Sequence, residues 1–283
     1  MRSLRFADGG EAPVLGLGTW RLGERPAQRV AEVAVLRQAI EIGYRLFDTA
    51  EMYAEGGAEE VLGMALREAL ATGLERDRVT VVSKFYPHHA DRRHLRAACA
   101  RSRRRLGLDC IDLYLLHWRG NTPLEETVDT LQDLQRQGHI ARWGVINFDL
   151  DDLQELSRLP GGDACASNQV YFSLGARGVE FEILPWQQQR GMPLMAYSPI
   201  DQGDLCQSDA LQRLAAERSM SAATLALAWV LSHEGVLAIP KAARRAHLEQ
   251  NFAAASLTLD AETLAGLDVV FVPPRRRQPL AMR

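Results

Sequence analysis

An α/β chain whose eight parallel strands close into a (β/α)8 barrel, with an N-terminal β-hairpin as a cap, is the fold this sequence predicts, and three observations predict it. Short apolar runs alternate with amphipathic stretches along almost the whole chain, eight such runs can be found, and no linker or shift in composition interrupts them. An open doubly wound sheet usually has fewer strands, so eight over about 250 residues favours closure. The expectation is one domain over residues 1–283, with a short tail from about 271.

The elements follow in order. Leu4, Phe6 and Val14 flank Asp8-Gly9-Gly10, a turn rich in residues that tolerate positive φ, and this predicts the hairpin. Leu15 to Leu17 is the first barrel strand. Val33, Leu36 and Ile40 share a helical face that Gly43 ends, and Tyr44 to Phe47 is the second strand. Val61, Leu62, Ala65 and Leu66 predict a helix over Ala58 to Leu70, followed by a β-branched strand from Val79 to Ser83. Leu95, Cys99, Ser102 and Leu106 line the next helix, and Cys110 to Leu116 the next strand. Thr122-Pro123-Leu124-Glu125 reads as a helix start, with Thr122 as cap, proline in the first turn and Glu125 completing a capping box. Gly138 ends that helix. The remaining strands are expected at Arg142 to Ile146, Ala164 to Asn168, Pro193 to Ala196 and Val236 to Ile239.

Composition excludes several classes. With 283 residues, 47% hydrophobic and 24% charged, the chain can bury a substantial core and is not a disordered segment. A formal charge of −3 sets up no field that would draw in nucleic acid or an anionic membrane, so small molecules are the expected partners. The N-terminus lacks the apolar stretch of a secretory signal, and no run of eighteen apolar residues occurs. The expectation is a cytoplasmic protein. Cys99, Cys110, Cys165 and Cys206 are widely spaced, without a CxxC pair or a zinc-finger histidine, and are expected to be buried reduced thiols. His88, His89 and His94 lie in a loop with no suitable carboxylate or cysteine set, so no metal is expected. Arg103 to Arg105 and Arg275 to Arg277 lack interleaved aromatics and read as a solvated helix face and tail.

Of 33 basic residues only Lys84 and Lys241 are lysine, which leaves 31 arginines. Surface roles tolerate either residue, whereas a tight site needing a compact, rotatable ammonium does not, so both lysines become candidates for function.

In a barrel the chemistry gathers at the C-terminal strand ends. Asp48, Lys84, His117, Asn147, Gln169, Tyr197 and Lys241 stand there, and Tyr53, five residues past Asp48, can fold back over the mouth. A phenol is a poor acid near neutrality. An adjacent ammonium stabilises its phenolate and eases proton donation, a task that suits Lys84. Asp48 would hold that ammonium in place, and His117 would donate a hydrogen bond to a reacting carbonyl. Gly16-Leu17-Gly18-Thr19-Trp20 lacks the third glycine of a Rossmann fingerprint, so a dinucleotide would have to bind in another way.

Taken together, GLGTW (16–20), FDTAEMY (47–53), VSK (82–84), DLYLLHW (112–118), NQV (168–170), YSP (197–199) and IPK (239–241) resemble the aldo-keto reductases, and bacterial members acting on small aldehydes such as methylglyoxal in particular. The resemblance implies a catalytic tetrad of Asp48, Tyr53, Lys84 and His117, with Tyr53 as the acid and hydride delivered from a nicotinamide. It implies that Asn147 and Gln169 hold the carboxamide, that Tyr197 stacks on the ring, that Ser198 approaches the pyrophosphate, and that Thr19 and Asp48 lie near the ribose. Lys241 would grip a 2′-phosphate with Arg244 and His247 nearby, and Gln250 and Asn251 would reach the adenine. Trp20, Tyr53, Tyr86, His117 and Trp118 would line the substrate pocket, and the enzyme would be a monomer.

The sequence departs from the family pattern at Ile146, where serine is usual, and at Ala242 and His247, where serine and arginine are usual. NADPH is nevertheless the expected cofactor, because Lys241, Arg244 and Arg245 cluster and no carboxylate falls between Lys241 and His247. NADH stays open as a second cofactor. The short tail predicts a shallow, open substrate pocket. Two other readings stay open: a nucleotide-binding sensor or scaffold with little turnover, and a barrel lyase using Lys84 as a Schiff base.

Overall fold

The computed structural model describes residues 2–283. The N-terminal hairpin forms as expected. β1 (Ser3–Arg5) pairs antiparallel with β2 (Glu11–Pro13), Leu4 opposite Ala12. Gly9 supplies the left-handed residue of the turn at φ 84°, and the Asp8 carboxylate accepts from the Gly10 amide at 2.9 Å.

The chain divides into two compact units, one spanning Leu17–Asn168 and the other joining the residues up to Gly16 with Gln169–Arg283. The first contains β3 (Leu17–Gly18), α1 (Arg29–Ile42), β4 (Leu46–Asp48), α2 (Gly57–Ala71), β5 (Thr80–Phe85), α3 (Arg92–Leu106), β6 (Ile111–Leu116), α4 (Leu124–Arg136), β7 (Ile140–Ile146) and α5 (Leu150–Arg158). Its strands pair in parallel in chain order, with Gly18 opposite Asp48, Asp48 opposite Val82, and Lys84 opposite Leu115. These strands are almost wholly buried, as parallel strands covered by helices must be. Neighbouring side chains point to opposite faces. Ser83 thus meets Glu59 of α2 while Lys84, one residue on, meets Asp48.

The second unit continues with β8 (Asn168–Tyr171), α6 (Ile183–Gln188), β9 (Leu194–Tyr197), α7 (Asp209–Ala216), α8 (Ala222–Leu231), β10 (Val236–Ala238), α9 (Arg245–Ala254) and α10 (Ala261–Val270). β9 and β10 are parallel, and Leu15 bridges Ala238 within the same unit. The order of the sheet from β3 to β10 is that of the chain, giving the eight-stranded parallel α/β fold that the alternating pattern predicts. Arg177, buried against Trp229 with its guanidinium 4.7 Å from the ring, bonds both Glu180 oxygens, Asp268 and the Phe271 carbonyl, which fixes the end of α10.

Three local expectations are corrected. The capping box at Thr122 does not form, because α4 starts one residue late with Pro123 at the cap position and no side-chain cap bond. A capping box occurs instead at α5, between Asp149 and Asp152. The strand expected over residues 164–168 lies further on. Gly161, at φ 73°, opens a tight turn over Gly162–Ala164, and regular pairing starts only at Asn168. The four cysteines are free, and Cys99 and Cys165 are buried, but Cys110 and Cys206 are only partly so.

Candidate active site

Three neighbouring strands deliver three of the four expected catalytic side chains. Asp48 ends β4, Lys84 lies near the end of β5, and His117 directly follows β6. The Lys84 ammonium is completely buried and donates to Asp48 Oδ2 at 2.6 Å, to the Thr49 carbonyl at 2.9 Å and to Tyr53 Oη at 3.1 Å. Thr19, also buried, sends both its amide (2.9 Å) and its hydroxyl (3.0 Å) to the Asp48 carbonyl, fixing the end of β4. Burial works against the Lys84 charge, but Asp48 first and Tyr53 second outweigh it and hold the lysine pKa above its ordinary value. All three ammonium hydrogens are committed, so Lys84 is a charge in this structure and has no lone pair to attack a carbonyl.

Tyr53 opens a short turn in which Ala54 and Glu55 adopt left-handed backbone at φ 52° and 50°, followed by Gly56 at 92°. Two successive non-glycine residues in that region store strain of about 1–3 kcal/mol each, and such strain persists only where surroundings enforce it. The turn brings the Tyr53 ring edge-to-face with His117, their centroids 5.9 Å apart. Burial, and then the Lys84 charge, push the His117 pKa down to about 3, so its imidazole is neutral at ordinary pH. Its Nδ1 is buried without a hydrogen-bond partner.

The aromatic residues expected around a substrate form a partial chain. Trp118 tilts against His117 at 5.1 Å and stands edge-on to Tyr86 at 6.4 Å. Trp118 and Trp20 are each more than a third exposed, and the Arg21 guanidinium lies 4.4 Å from the Trp20 ring centre.

The residues expected to hold a cofactor fall on both units. In Leu17–Asn168, Asn147 takes left-handed backbone at φ 56° immediately after β7. The loop there is clamped by Asn168, whose amide nitrogen donates to the Phe148 carbonyl at 2.9 Å. In the other unit Gln169 is buried, with its amide 2.7 Å from Met195 Sδ. Tyr197 ends β9 and stacks on Tyr171 with ring centres 5.8 Å apart, and Ser198 after it is again left-handed at φ 48°. Lys241, Arg244, His247 and Gln250 are exposed around the start of α9, with Arg244 at its cap position, while Asn251 is buried. A helix N-terminus carrying cations is suited to a phosphate. Within the second unit, a left-handed serine just past the end of β9 and a basic start to α9 are the kind of features that suit phosphate groups.

Sequence reasoning missed several residues around Tyr53. Glu51 is buried, Glu59 is fully buried against Ser83 Oγ (2.6 Å) and Arg105 (2.8 Å), and Asn168 clamps the Asn147 loop. The signal for the first two lay in EMYAEGGAEE, where four carboxylates crowd the loop and helix start after Asp48.

Comparison with known proteins bears on this geometry. The model of the aldo/keto reductase family matches residues 14–270. The chain is 48% identical over 286 residues to methylglyoxal reductase YeaE of Escherichia coli, covering 99% of both proteins. It is 31% identical to a glyoxal reductase of Bacillus subtilis, covering 95% of this chain and 92% of that one. A crystal structure of an aldo/keto reductase from Klebsiella pneumoniae in complex with NADP and acetate superposes with a TM-score of 0.94 at 48% identity, covering 99% of each chain.

Proposed function

The chain belongs to the aldo/keto reductase family of oxidoreductases, and from that premise we propose that it reduces small aldehydes and ketoaldehydes of the methylglyoxal type to alcohols at the expense of NADPH. The observation that carries this reading is the Lys84 ammonium buried between Asp48 and Tyr53.

When bound, the reduced nicotinamide supplies the hydride to the carbonyl carbon. Tyr53 gives its phenolic proton to the carbonyl oxygen as negative charge develops there. Lys84, 3.1 Å away, stabilises the phenolate left behind. Asp48 keeps Lys84 charged and aimed. His117, neutral under working conditions, donates a hydrogen bond to the same oxygen and so orients the substrate without competing for the proton. Trp20, Tyr86 and Trp118, together with Tyr53 and His117, form an aromatic wall suited to short carbonyl compounds, open enough to accept several of them.

On the cofactor side, Asn147 and Gln169 would hold the carboxamide, Tyr197 the nicotinamide ring, Ser198 the pyrophosphate, and Thr19 and Asp48 the ribose. Lys241, Arg244 and His247 would take the 2′-phosphate, and Gln250 and Asn251 the adenine. Support comes from the exposed cations at the start of α9 and from the carboxylate-free stretch between Lys241 and His247, which favours NADPH over NADH. The protein acts as a monomer in the cytoplasm, folded as one domain. Among the described residues no helix is long and apolar enough to cross a membrane.

The test is oxidation of NADPH, and of NADH in parallel, with a panel of methylglyoxal, phenylglyoxal, glyceraldehyde and a nitrobenzaldehyde, for the wild type and Tyr53→Phe. The expected result is turnover preferring NADPH that falls at least about a hundredfold in the variant. A loss below tenfold overturns Tyr53 as the acid, and tight NADPH binding with no turnover on any carbonyl replaces the reductase by a sensor.

A further inference from the structure

Tyr53 stands in a loop whose backbone is unfavourable, and something must hold it. Glu51, two residues before it, is 3% exposed, and its carboxylate takes three contacts from two other segments. Oε1 accepts from the Tyr86 amide at 2.8 Å and lies 2.8 Å from His89 Nδ1, and Oε2 pairs with Arg101 of α3 at 3.3 Å. The Glu51 amide in turn donates to the Lys84 carbonyl at 3.1 Å. A second carboxylate, Glu55, two residues after Tyr53, accepts from the Tyr86 hydroxyl at 2.9 Å. One residue, Tyr86, is thus held at its backbone and at its hydroxyl by the two carboxylates that bracket Tyr53, and it lies two residues beyond Lys84 in the same strand and loop.

We propose that Glu51 is a positioning residue for the reduction: clipped to the Tyr86 amide, His89 and Arg101, it fixes the loop so that the Tyr53 hydroxyl stays within hydrogen-bond reach of Lys84. Glu55 adds the outer half of the clip. This rests on Tyr53 as the proton donor. The Glu51 carboxylate touches neither phenol nor ammonium, so it acts on Tyr53 only through the geometry of the loop. The strained residues Ala54 and Glu55 make the clip necessary. A loop released from Glu51 relaxes toward ordinary dihedrals and carries the phenol away from Nζ. A displacement of about 1 Å in a reacting group can cost on the order of a hundredfold in rate.

The experiment compares Glu51→Ala, Glu51→Gln, Tyr53→Phe and the double variant Glu51→Ala with Tyr53→Phe. It reads kcat, KM for the carbonyl, NADPH affinity by quenching of protein fluorescence, and melting temperature. The expected result is a kcat at least about tenfold lower in Glu51→Ala, with KM and NADPH affinity within about threefold of wild type. Glu51→Gln keeps an acceptor for the Tyr86 amide and regains most of the rate. In the double variant the loss equals that of Tyr53→Phe alone, because a positioning residue has nothing left to position. Losses that multiply, a kcat within threefold in Glu51→Ala, or equal losses in both Glu51 variants that follow melting temperature each overturn the proposal. A Tyr53→Phe enzyme that keeps its activity overturns the reading beneath it and is distinguished by that single variant.

Discussion

Lys84 Nζ and Asp48 Oδ2 lie 2.6 Å apart with their side chains 0% and 2% exposed, so the charged pair at the centre of the site is also a buried ion pair. Removing one partner of such a pair strands the other in low dielectric. Removing both is far cheaper. Lys84→Met is therefore expected to lose about 3–5 kcal/mol of stability by denaturant unfolding. Adding Asp48→Asn should restore most of it, while carbonyl reduction stays at least about a hundredfold down in both. Parallel recovery of stability and activity in the double variant would remove Lys84 from the chemistry.

The depressed His117 pKa links stability to pH. In the unfolded chain the imidazole takes up a proton near 6.5, whereas in the folded protein it does so only near 3. Between those values the unfolded state binds the extra proton, so the folded state loses stability as pH falls from about 6.5 toward 3, by up to about 1.4 kcal/mol per pH unit from this residue. His117→Gln should flatten that part of the stability curve. For the same reason the wild-type pH profile of kcat/KM should show no His117 inflection between about pH 5 and 7.

Ala54 and Gly56, on either side of Glu55, occupy left-handed positions with opposite expectations. At φ 52° Ala54 carries the steric cost of its Cβ, so Ala54→Gly should leave stability level or raise it by up to about 1 kcal/mol. Gly56 is at φ 92°, and an added Cβ would overlap the Arg105 side chain that neutralises buried Glu59, so Gly56→Ala should cost more than about 1 kcal/mol. Thermal unfolding of both variants decides the matter. Equal effects would mean that Arg105 yields to a Cβ at position 56.

The proposed function places cofactor choice at the start of α9. Lys241→Met is expected to weaken NADPH binding at least about tenfold and NADH binding by less than about twofold, measured by fluorescence titration. Equal losses for both would place Lys241 away from the 2′-phosphate.

Much of this was legible in the sequence because strand and helix periods differ, and the alternation persists across the chain. Val61, Leu62, Ala65 and Leu66 announce α2, and Asp48, Lys84 and His117 sit where strand ends were expected. Boundaries set by local hydrogen bonding were harder. Thr122 had the composition of a cap, but the position of Pro123 started the helix too late to use it, and Gly161 delayed β8 where the apolar run alone suggested an earlier strand. The clip around Tyr53 was not legible at all. Glu51 meets Tyr86, His89 and Arg101 across 35, 38 and 50 residues of chain, and no local period encodes such separations.

The arginine-for-lysine bias gives the molecule a built-in chemical reporter. Of the two lysine amines, Lys84 is sealed and triply hydrogen-bonded while Lys241 is exposed, so an amine-selective label applied above neutral pH has one accessible side-chain target. With Lys241 at the proposed 2′-phosphate site, the extent of labelling there, read by mass spectrometry with and without NADP, would report nucleotide occupancy without substrate or turnover.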